Sequence, residues 1–264
     1  MKRTAVLTGS ASGIGKATRE LLLARGYRVL GVDLHDAEVI ADLSKPEGRE
    51  AMIYGVRWMT RGVVDAVVAN AGLALPEPIT GSVNYFGALA ALEGLQPMLV
   101  KGQQPRAVLV TSLANTFPHD EALVEAYLAG DEPAALKASE GKGDLIYAST
   151  KVAVTRWARR HAIQSDWAGA GVLLNIVAPG LIQTPMTQAM IDDPKTMEHF
   201  GGLLPMPIGR YGQPEEVAEL IAFLISPENS LMVGQVIFID SGSEATTRGE
   251  LGWVSAPQVL TAAA

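Results

Sequence analysis

A parallel β-sheet wound by helices on both faces is the fold class that the sequence predicts, and three observations predict it. Short runs rich in Val, Ile and Leu recur along the chain, with stretches of helical pattern between them. Strands that alternate with helices imply an α/β protein with a parallel sheet. Some of those runs, such as Val63 to Ala69 (VVDAVVA), are mostly apolar, as strands covered on both faces require. Finally, 264 residues with 48% hydrophobic and 19% charged residues suit a single α/β domain spanning 1–264 with an ample core.

The elements follow in order. Thr4 to Thr8 is the first strand; it runs into Gly9-Ser10-Ala11-Ser12-Gly13-Ile14-Gly15 and then a helical pattern with Leu21, Leu22 and Leu23 ending near Gly26. Arg28 to Asp33 is the second strand. Strand, glycine turn, helix and a strand ending in Asp within 33 residues form a dinucleotide fingerprint. The glycines let the backbone approach a pyrophosphate, whose charge sits at the helix N-terminus. The spacing is G-x-x-x-G-x-G rather than G-x-G-x-x-G. Asp33 is placed to accept hydrogen bonds from the adenosine ribose hydroxyls and to repel a 2′-phosphate, and no Arg or Lys stands at Ser12 or Leu34. NAD is therefore expected over NADP.

The helix expected after the second strand is nearly absent, because only His35 to Glu38 precede Val39 to Leu43. Ser44-Lys45-Pro46-Glu47 reads as a capping box that opens a helix towards Trp58. The strand Val63 to Ala69 ends in Asn70-Ala71-Gly72, a turn of close backbone approach. Ser82 to Val100 is a long helical pattern with Asn84 near its start, where a cap and a functional group are both open. The strand Arg106 to Thr111 brings Ser112 to its C-terminal end, where open parallel sheets gather ligands.

Residues 114–146 are too long for an ordinary connection. They have helical composition over Glu121 to Leu128 and Pro133 to Ser139, and they carry seven acids and two lysines, most of the net charge of −7. A solvated excursion, a helical lid and an interface modifier are the readings open to them. A helix from Tyr147 to Trp167, a strand from Val172 to Val177 and Pro179-Gly180 follow. The loop 184–208 is rich in methionine (Met186, Met190, Met197, Met206) with Phe200, Leu203 and Leu204, and it suits an adaptable apolar lid. Gln213-Pro214-Glu215-Glu216 starts the last long helix, and Val236 to Asp240 is the last strand.

Composition excludes several functions. A net charge of −7 and a pI of about 5.2 speak against nucleic acid or an anionic membrane as partner. The chain has no cysteine, and its four histidines are scattered, so no metal site is expected. The short apolar start is no signal peptide and no apolar run reaches membrane-spanning length, so a soluble cytoplasmic protein is expected.

Tyr147 and Lys151 stand four residues apart, one above the other on a helix. An ammonium beside a phenol favours the phenolate, so the spacing predicts a tyrosine of lowered pKa that exchanges a proton with an alcohol or alkoxide. The assembled residues resemble the short-chain dehydrogenase/reductase family over nearly the whole chain. Thr8 to Gly15 matches T-G-x-x-x-G-I-G, Ala69 to Gly72 matches N-N-A-G with Ala for its first Asn, and Pro179-Gly180 with Thr184 matches P-G-x-x-x-T. Asn84, Ser112, Tyr147 and Lys151 fall in the order of the family's catalytic tetrad.

The resemblance implies a Rossmann-type sheet with a helical insertion before the Tyr147 helix, and reversible hydride transfer between NAD and a secondary alcohol or ketone. Tyr147 would be the acid or base, Ser112 would bind the reacting oxygen, and Asn84 would hold a water linking Lys151 to solvent. Lys151 would bind the nicotinamide ribose. The implied cofactor residues are Gly9, Ser12, Gly13, Ile14, Gly15, Asp33, Leu34, Asp42, Leu43, Asn70, Ala71, Gly72, Tyr147, Lys151, Pro179, Gly180, Ile182 and Thr184. The substrate side is expected at Leu73, Leu113, Leu181, Met186, Met190 and Met206, an apolar set suited to a bulky apolar substrate.

Within the family, Ala37 to Leu43, Ser82 to Gly87, Gln213 to Pro227 and the acidic insertion resemble the bacterial 3α-hydroxysteroid dehydrogenase/carbonyl reductase group. Aryl-alcohol (coniferyl-alcohol-like) dehydrogenases look similar in these features. A catalytically silent NAD-binding regulatory protein of the same fold is the alternative of another class. Family members form dimers or tetramers; an insertion against the Tyr147 helix would obstruct one interface, so a homodimer through Pro214–Asp240 is expected, with a homotetramer as the alternative.

Overall fold

The computed structural model describes residues 2–195 and 204–250. Seven parallel strands form one sheet in the order β3-β2-β1-β4-β5-β6-β7. They are β1 (Thr4–Thr8), β2 (Arg28–Asp33), β3 (Val39–Ile40), β4 (Ala66–Ala69), β5 (Arg106–Val110), β6 (Leu173–Pro179) and β7 (Val236–Ile239). Successive side chains on a strand point to opposite faces, and the apolar residues divide accordingly. Val6, Leu30, Val32, Val67, Leu109 and Ile176 join one buried core, under helix α2 (Pro46–Thr60) and the Tyr147 helix (Leu145–Ala162). Leu7, Val29, Val68, Val108 and Val177 join the other, under helix α1 (Gly13–Ala24) and the helix Pro214–Leu224. Each such side chain contributes about 1.5–3 kcal/mol on burial, which fixes the register of every strand.

Chain order along the sheet reverses at β1, whose neighbours are β2 on one side and β4 on the other. That arrangement is the Rossmann-type doubly wound sheet, and it opens a crevice at the C-terminal ends of β1 and β4. Between β2 and β3 the missing helix is replaced by a side chain. Glu38 accepts from the Gly31 N–H at 2.7 Å and pairs with Arg19 on α1, so the sheet edge is satisfied without a full βαβ unit.

Two local expectations need correction. No capping box forms at Ser44, because its hydroxyl donates to Asp42 at 2.6 Å and Lys45 takes the N-cap position. The strand expected from Val63 begins only at Ala66. Asp65 is drawn aside to accept from the backbone N–H groups of Thr4 and Gln103.

The insertion is packed against the body of the protein. Its helix Glu121–Leu128 packs on the Tyr147 helix and its helix Glu132–Ser139 on the helix that carries Asn84, and Tyr127 is fully buried. The Tyr127 ring stands 5.5 Å from Tyr85 and 6.2 Å from Phe86, and its hydroxyl shares a 2.8 Å hydrogen bond with Ser139. Gly81 passes so close that a Cβ there would fall within 2.4 Å of the Tyr127 oxygen. Of the methionine-rich loop, Pro185–Ile191 is helical. Met197, Phe200 and Leu203, like the chain after 250, lie outside the described residues.

Because the contact at Gly81 is with a buried ring, Gly81→Ala should destabilise the fold by about 1–3 kcal/mol, read as a lower denaturation midpoint in urea with unchanged slope.

Candidate active site

The crevice is floored by hydrogen bonds between β1 and β4. Thr8 Oγ1 accepts from the N–H groups of both Asn70 and Ala71 at 3.0 Å, and Asn70 Nδ2 returns to Thr8 O and Gly9 O at 3.1 and 3.2 Å. Gly9 has φ +68, and a Cβ there would stand 2.8 Å from Ala71 Cα. Glycine is therefore required by conformation and by space. Ser12 takes the N-cap of α1 but gives it no side-chain bond, so the first-turn N–H groups of the helix remain directed at the crevice, as an anion requires.

A cavity of about 540 Å³ runs from this turn across the ends of the strands. Every residue expected at the cofactor lines it except Gly15, which packs beneath the Gly9 carbonyl. Asp33 stands at one end, its Oδ2 accepting from Ala11 N–H at 2.8 Å and its Oδ1 from Leu34 N–H at 2.7 Å. With Asp33 and Asp42 there and no Arg or Lys on the lining besides Lys151, that end fits a free ribose diol and opposes a 2′-phosphate.

Ser112, Tyr147 and Lys151 line the other end. Ser112 follows β5, and its hydroxyl accepts from Ala114 N–H at 3.1 Å, which orients it. Lys151 is 5% exposed, has no anionic partner among the described residues, and places Nζ 5.5 Å from the Tyr147 ring centroid. Burial pushes its pKa down to about 8. The expected lowering of the tyrosine is not met. Burial pushes the Tyr147 phenol up, and only the hydrogen bond with Ser112 pulls it back. The ammonium approaches the ring instead of bonding to the oxygen, so it does not add to the Ser112 hydrogen bond in opposing the desolvation of the phenolate.

Asn84 is neither a cap nor on the cavity lining. It lies in a π-helical turn, Ser82–Gly87, within a helix that continues to Leu99. Its amide accepts from Leu73 N–H and donates to Leu73 O, both at 2.8 Å, and donates to Thr150 Oγ1 at 3.2 Å. It thus braces the turn after β4. A methyl on Gly72 would stand 3.2 Å from Asn84 Oδ1 and 3.6 Å from Lys151 Nζ, so glycine keeps those two groups facing one another.

The apolar side is smaller than expected. Leu73 and Met186 line the cavity. Leu113, Leu181 and Met190 instead pack with Leu204 in a separate cluster, which Tyr211 and Phe238 also join. Met206 does not line the cavity either. Ile79 and Val83 do, one turn apart on the Asn84 helix. Their spacing of four from one another, next to Asn84, is the signal that would have found them. No residue of the 114–146 insertion lines the cavity, so its helices are not a lid in this structure.

Comparisons with known proteins agree with this geometry. Residues 133–244 match a family described as enoyl-(acyl carrier protein) reductase. The chain is 42% identical over 252 residues to the 3-alpha-hydroxysteroid dehydrogenase/carbonyl reductase of Comamonas testosteroni, across 92% of this chain and 97% of that one. It is 27% identical to a 3-oxoacyl-(acyl-carrier-protein) reductase of Thermotoga maritima, across 91% and 97%. Among solved structures, the 3-alpha-hydroxysteroid dehydrogenase of Pseudomonas sp. B-0831 complexed with NADH is similar at 45% identity and a TM-score of 0.87, across 93% of this chain and 98% of that one.

A lysine buried without a counter-charge costs stability. Its pKa is 10.5 unfolded and about 8 folded, so the penalty is complete below pH 8 and fades as pH rises to 10.5. Lys151→Met should therefore stabilise the ligand-free protein at pH 7 by up to ~3 kcal/mol. Denaturant titrations at pH 7 and pH 10 should show that gain shrinking at the higher pH.

Proposed function

The chain belongs to the short-chain dehydrogenase/reductase family, and from that membership we propose an NAD-dependent enzyme that interconverts a bulky apolar secondary alcohol and its ketone, with 3α-hydroxysteroids or related carbonyl compounds as substrates. The observation that carries the reaction is the meeting of Ser112, Tyr147 and Lys151 at one end of a cavity whose other end is a glycine-turn helix N-terminus beside Asp33. The apolar residues Leu73, Ile79, Val83 and Met186 support the substrate class, as does the 42% identity to the Comamonas enzyme.

When bound, NAD supplies or accepts the hydride. The residues of the chain position the reactants and handle the proton. In reduction, Tyr147 donates its phenolic proton to the carbonyl oxygen, and Ser112 donates a hydrogen bond to the same oxygen as charge builds there. The raised phenol stays protonated at neutral pH, which favours it as the acid in this direction. Lys151 holds the nicotinamide ribose hydroxyls. Asn84, across Gly72 from Lys151, holds a water that connects the ammonium to solvent. Thr184, N-cap of the helix Pro185–Ile191, orients the carboxamide.

A homodimer through Pro214–Asp240 completes the proposal. Strand β7 is an edge strand whose four residues are only partly buried, and Phe223 and Leu231 of the same span are exposed. The insertion covers the Tyr147 helix, which supports this side of the molecule as the interface. We place the enzyme in the cytoplasm; among the described residues no helix is long and apolar enough to cross a membrane.

Tyr147→Phe should keep NADH affinity, measured by calorimetry, and lower kcat by about 10³-fold; full activity in that variant would sink the mechanism. In a cofactor-reduction screen across steroid, aryl and simple alcohols, kcat/KM should be highest for 3α-hydroxysteroids, and a preference for aryl alcohols would favour the coniferyl-like alternative. Sedimentation should give a dimer, and a tetramer would count against the interface.

A further inference from the structure

Arg49 stands where three parts of the molecule meet. It lies in the first turns of α2, just after the loop Ala41–Ser44 that lines the Asp33 end of the cavity. Its Nε donates to Leu43 O at 3.0 Å and its Nη2 to Ser44 O at 3.4 Å. The same guanidinium grips Glu132 of the insertion with two bonds, Nη1 to Oε2 at 2.8 Å and Nη2 to Oε1 at 2.6 Å. Its carbon lies 5.9 Å from the centre of the Phe86 ring, on the π-helical turn that carries Asn84. The side chains of Arg49 and Glu132 are 11% and 19% exposed, the most sheltered ion pair among the described residues.

At its start the loop is tied to β2, where Ala41 N–H donates to Asp33 O at 2.9 Å. Further on, Ser44 and Lys45 both reach Asp42, two and three residues away, and tie the loop to itself. Arg49 ties the Leu43 and Ser44 carbonyls to the insertion. A two-pronged bond to a carboxylate fixes the plane of a guanidinium, and here that plane sets the direction in which Nε and Nη2 meet the two carbonyls. Without the carboxylate the cation would be left sheltered and unpaired, which is strongly unfavourable, and it would turn towards water. The carbonyls of Leu43 and Ser44 would then lose their common anchor.

We propose that Glu132 is a positioning residue for the adenosine half of NAD: through Arg49 it fixes the Leu43–Ser44 wall, so the acidic insertion serves cofactor binding from outside the cavity. This rests on the proposed function only in placing the adenosine at the Asp33 end.

The test is calorimetric titration of the full chain with NADH and with ADP-ribose, which has the adenosine half and no nicotinamide. Glu132→Gln should weaken both affinities by about tenfold, while kcat at saturating NAD stays within about twofold, so that the loss appears in the KM for the cofactor. Arg49→Lys keeps a cation but not the fork, and should give the same pattern; it carries the test if Glu132→Gln does not fold. Lys142→Gln cuts a different ion pair of the insertion, with Asp120, and should leave ADP-ribose affinity unchanged. Unchanged ADP-ribose affinity in the folded variants at 132 and 49 would overturn the proposal. Equal weakening in Lys142→Gln would overturn it too, since that would mean general loosening. If wild-type protein binds ADP-ribose without competition from NADH, the placement of the adenosine fails, and the proposal with it.

Discussion

The close approach of β1 and β4 at their C-terminal ends is the constraint on which the site depends. Thr8, Gly9, Asn70 and Ala71 are laced together by four hydrogen bonds, with no room for a side chain at Gly9. This lacing places the N-terminus of α1 over the crevice. It also sends the chain after β4 past Gly72 to Leu73, where Asn84 catches the backbone from the far side. The glycine turn and the turn that Asn84 braces are thus held by one short stretch of backbone. A shift of one strand against the other would move both, which explains why such a polar seam is kept at the edge of an apolar sheet.

Tyr147 and Lys151 illustrate the opposite economy. Lys151 is costly to the fold at this position, since it is buried with no anionic partner among the described residues and its charge is disfavoured there. Tyr147 is likewise pushed towards its neutral form. Such a pair persists only if the surroundings over-determine it, and here they do. Thr111 and Thr155 bond to one another at 3.0 Å, and Thr155 donates to Lys151 O at 2.6 Å, pinning the backbone under the lysine. Thr150 does the same beneath Tyr147, donating to its carbonyl at 2.7 Å while it receives Asn84. The stability lost at the ammonium is offset by the packing of both cores against the sheet. That is the usual balance between a preorganised site and the fold that carries it.

Much of this was legible in the residues, and the parts that were not share a physical reason. β1 and β2 fall on the residues expected, as does the insertion helix Glu121–Leu128, because periodicity and turn residues are local properties. The glycine turn and the Tyr147–Lys151 spacing were legible for the same reason. What was not legible turns on contacts distant in sequence. Strand β4 begins late because Asp65 is claimed by Thr4 and Gln103. Asn84 is used by Leu73 and Thr150, which no local reading of a helix start reveals. Leu113, Leu181 and Met190 were expected on the substrate side as an apolar set; their packing with Leu204 in a cluster of its own is a contact that the sequence does not report. The direction of the Tyr147 shift turned on burial, which a spacing of four residues does not report.

The insertion makes the same point about charge. Counted along the chain, its acids left a solvated excursion open as one reading. Three of them, however, pair with cations outside the insertion. Glu121 and Glu125 face Arg156 of the Tyr147 helix, Glu132 holds Arg49, and Asp120 pairs with Lys142 while capping the helix that follows it. The pairs are not equivalent. Arg156 and its acids are open to water, where an ion pair contributes at most about 1 kcal/mol and salt screens it. Arg49 and Glu132 are sheltered, share two bonds, and reach a carbonyl pair at the cavity wall. An acidic stretch that merely solubilised the protein would need no such arginine, and one that merely packed would keep an apolar contact there. A sheltered ion pair that organises backbone carbonyls beside a ligand cavity is better explained by the orientation it imposes than by the stability it adds.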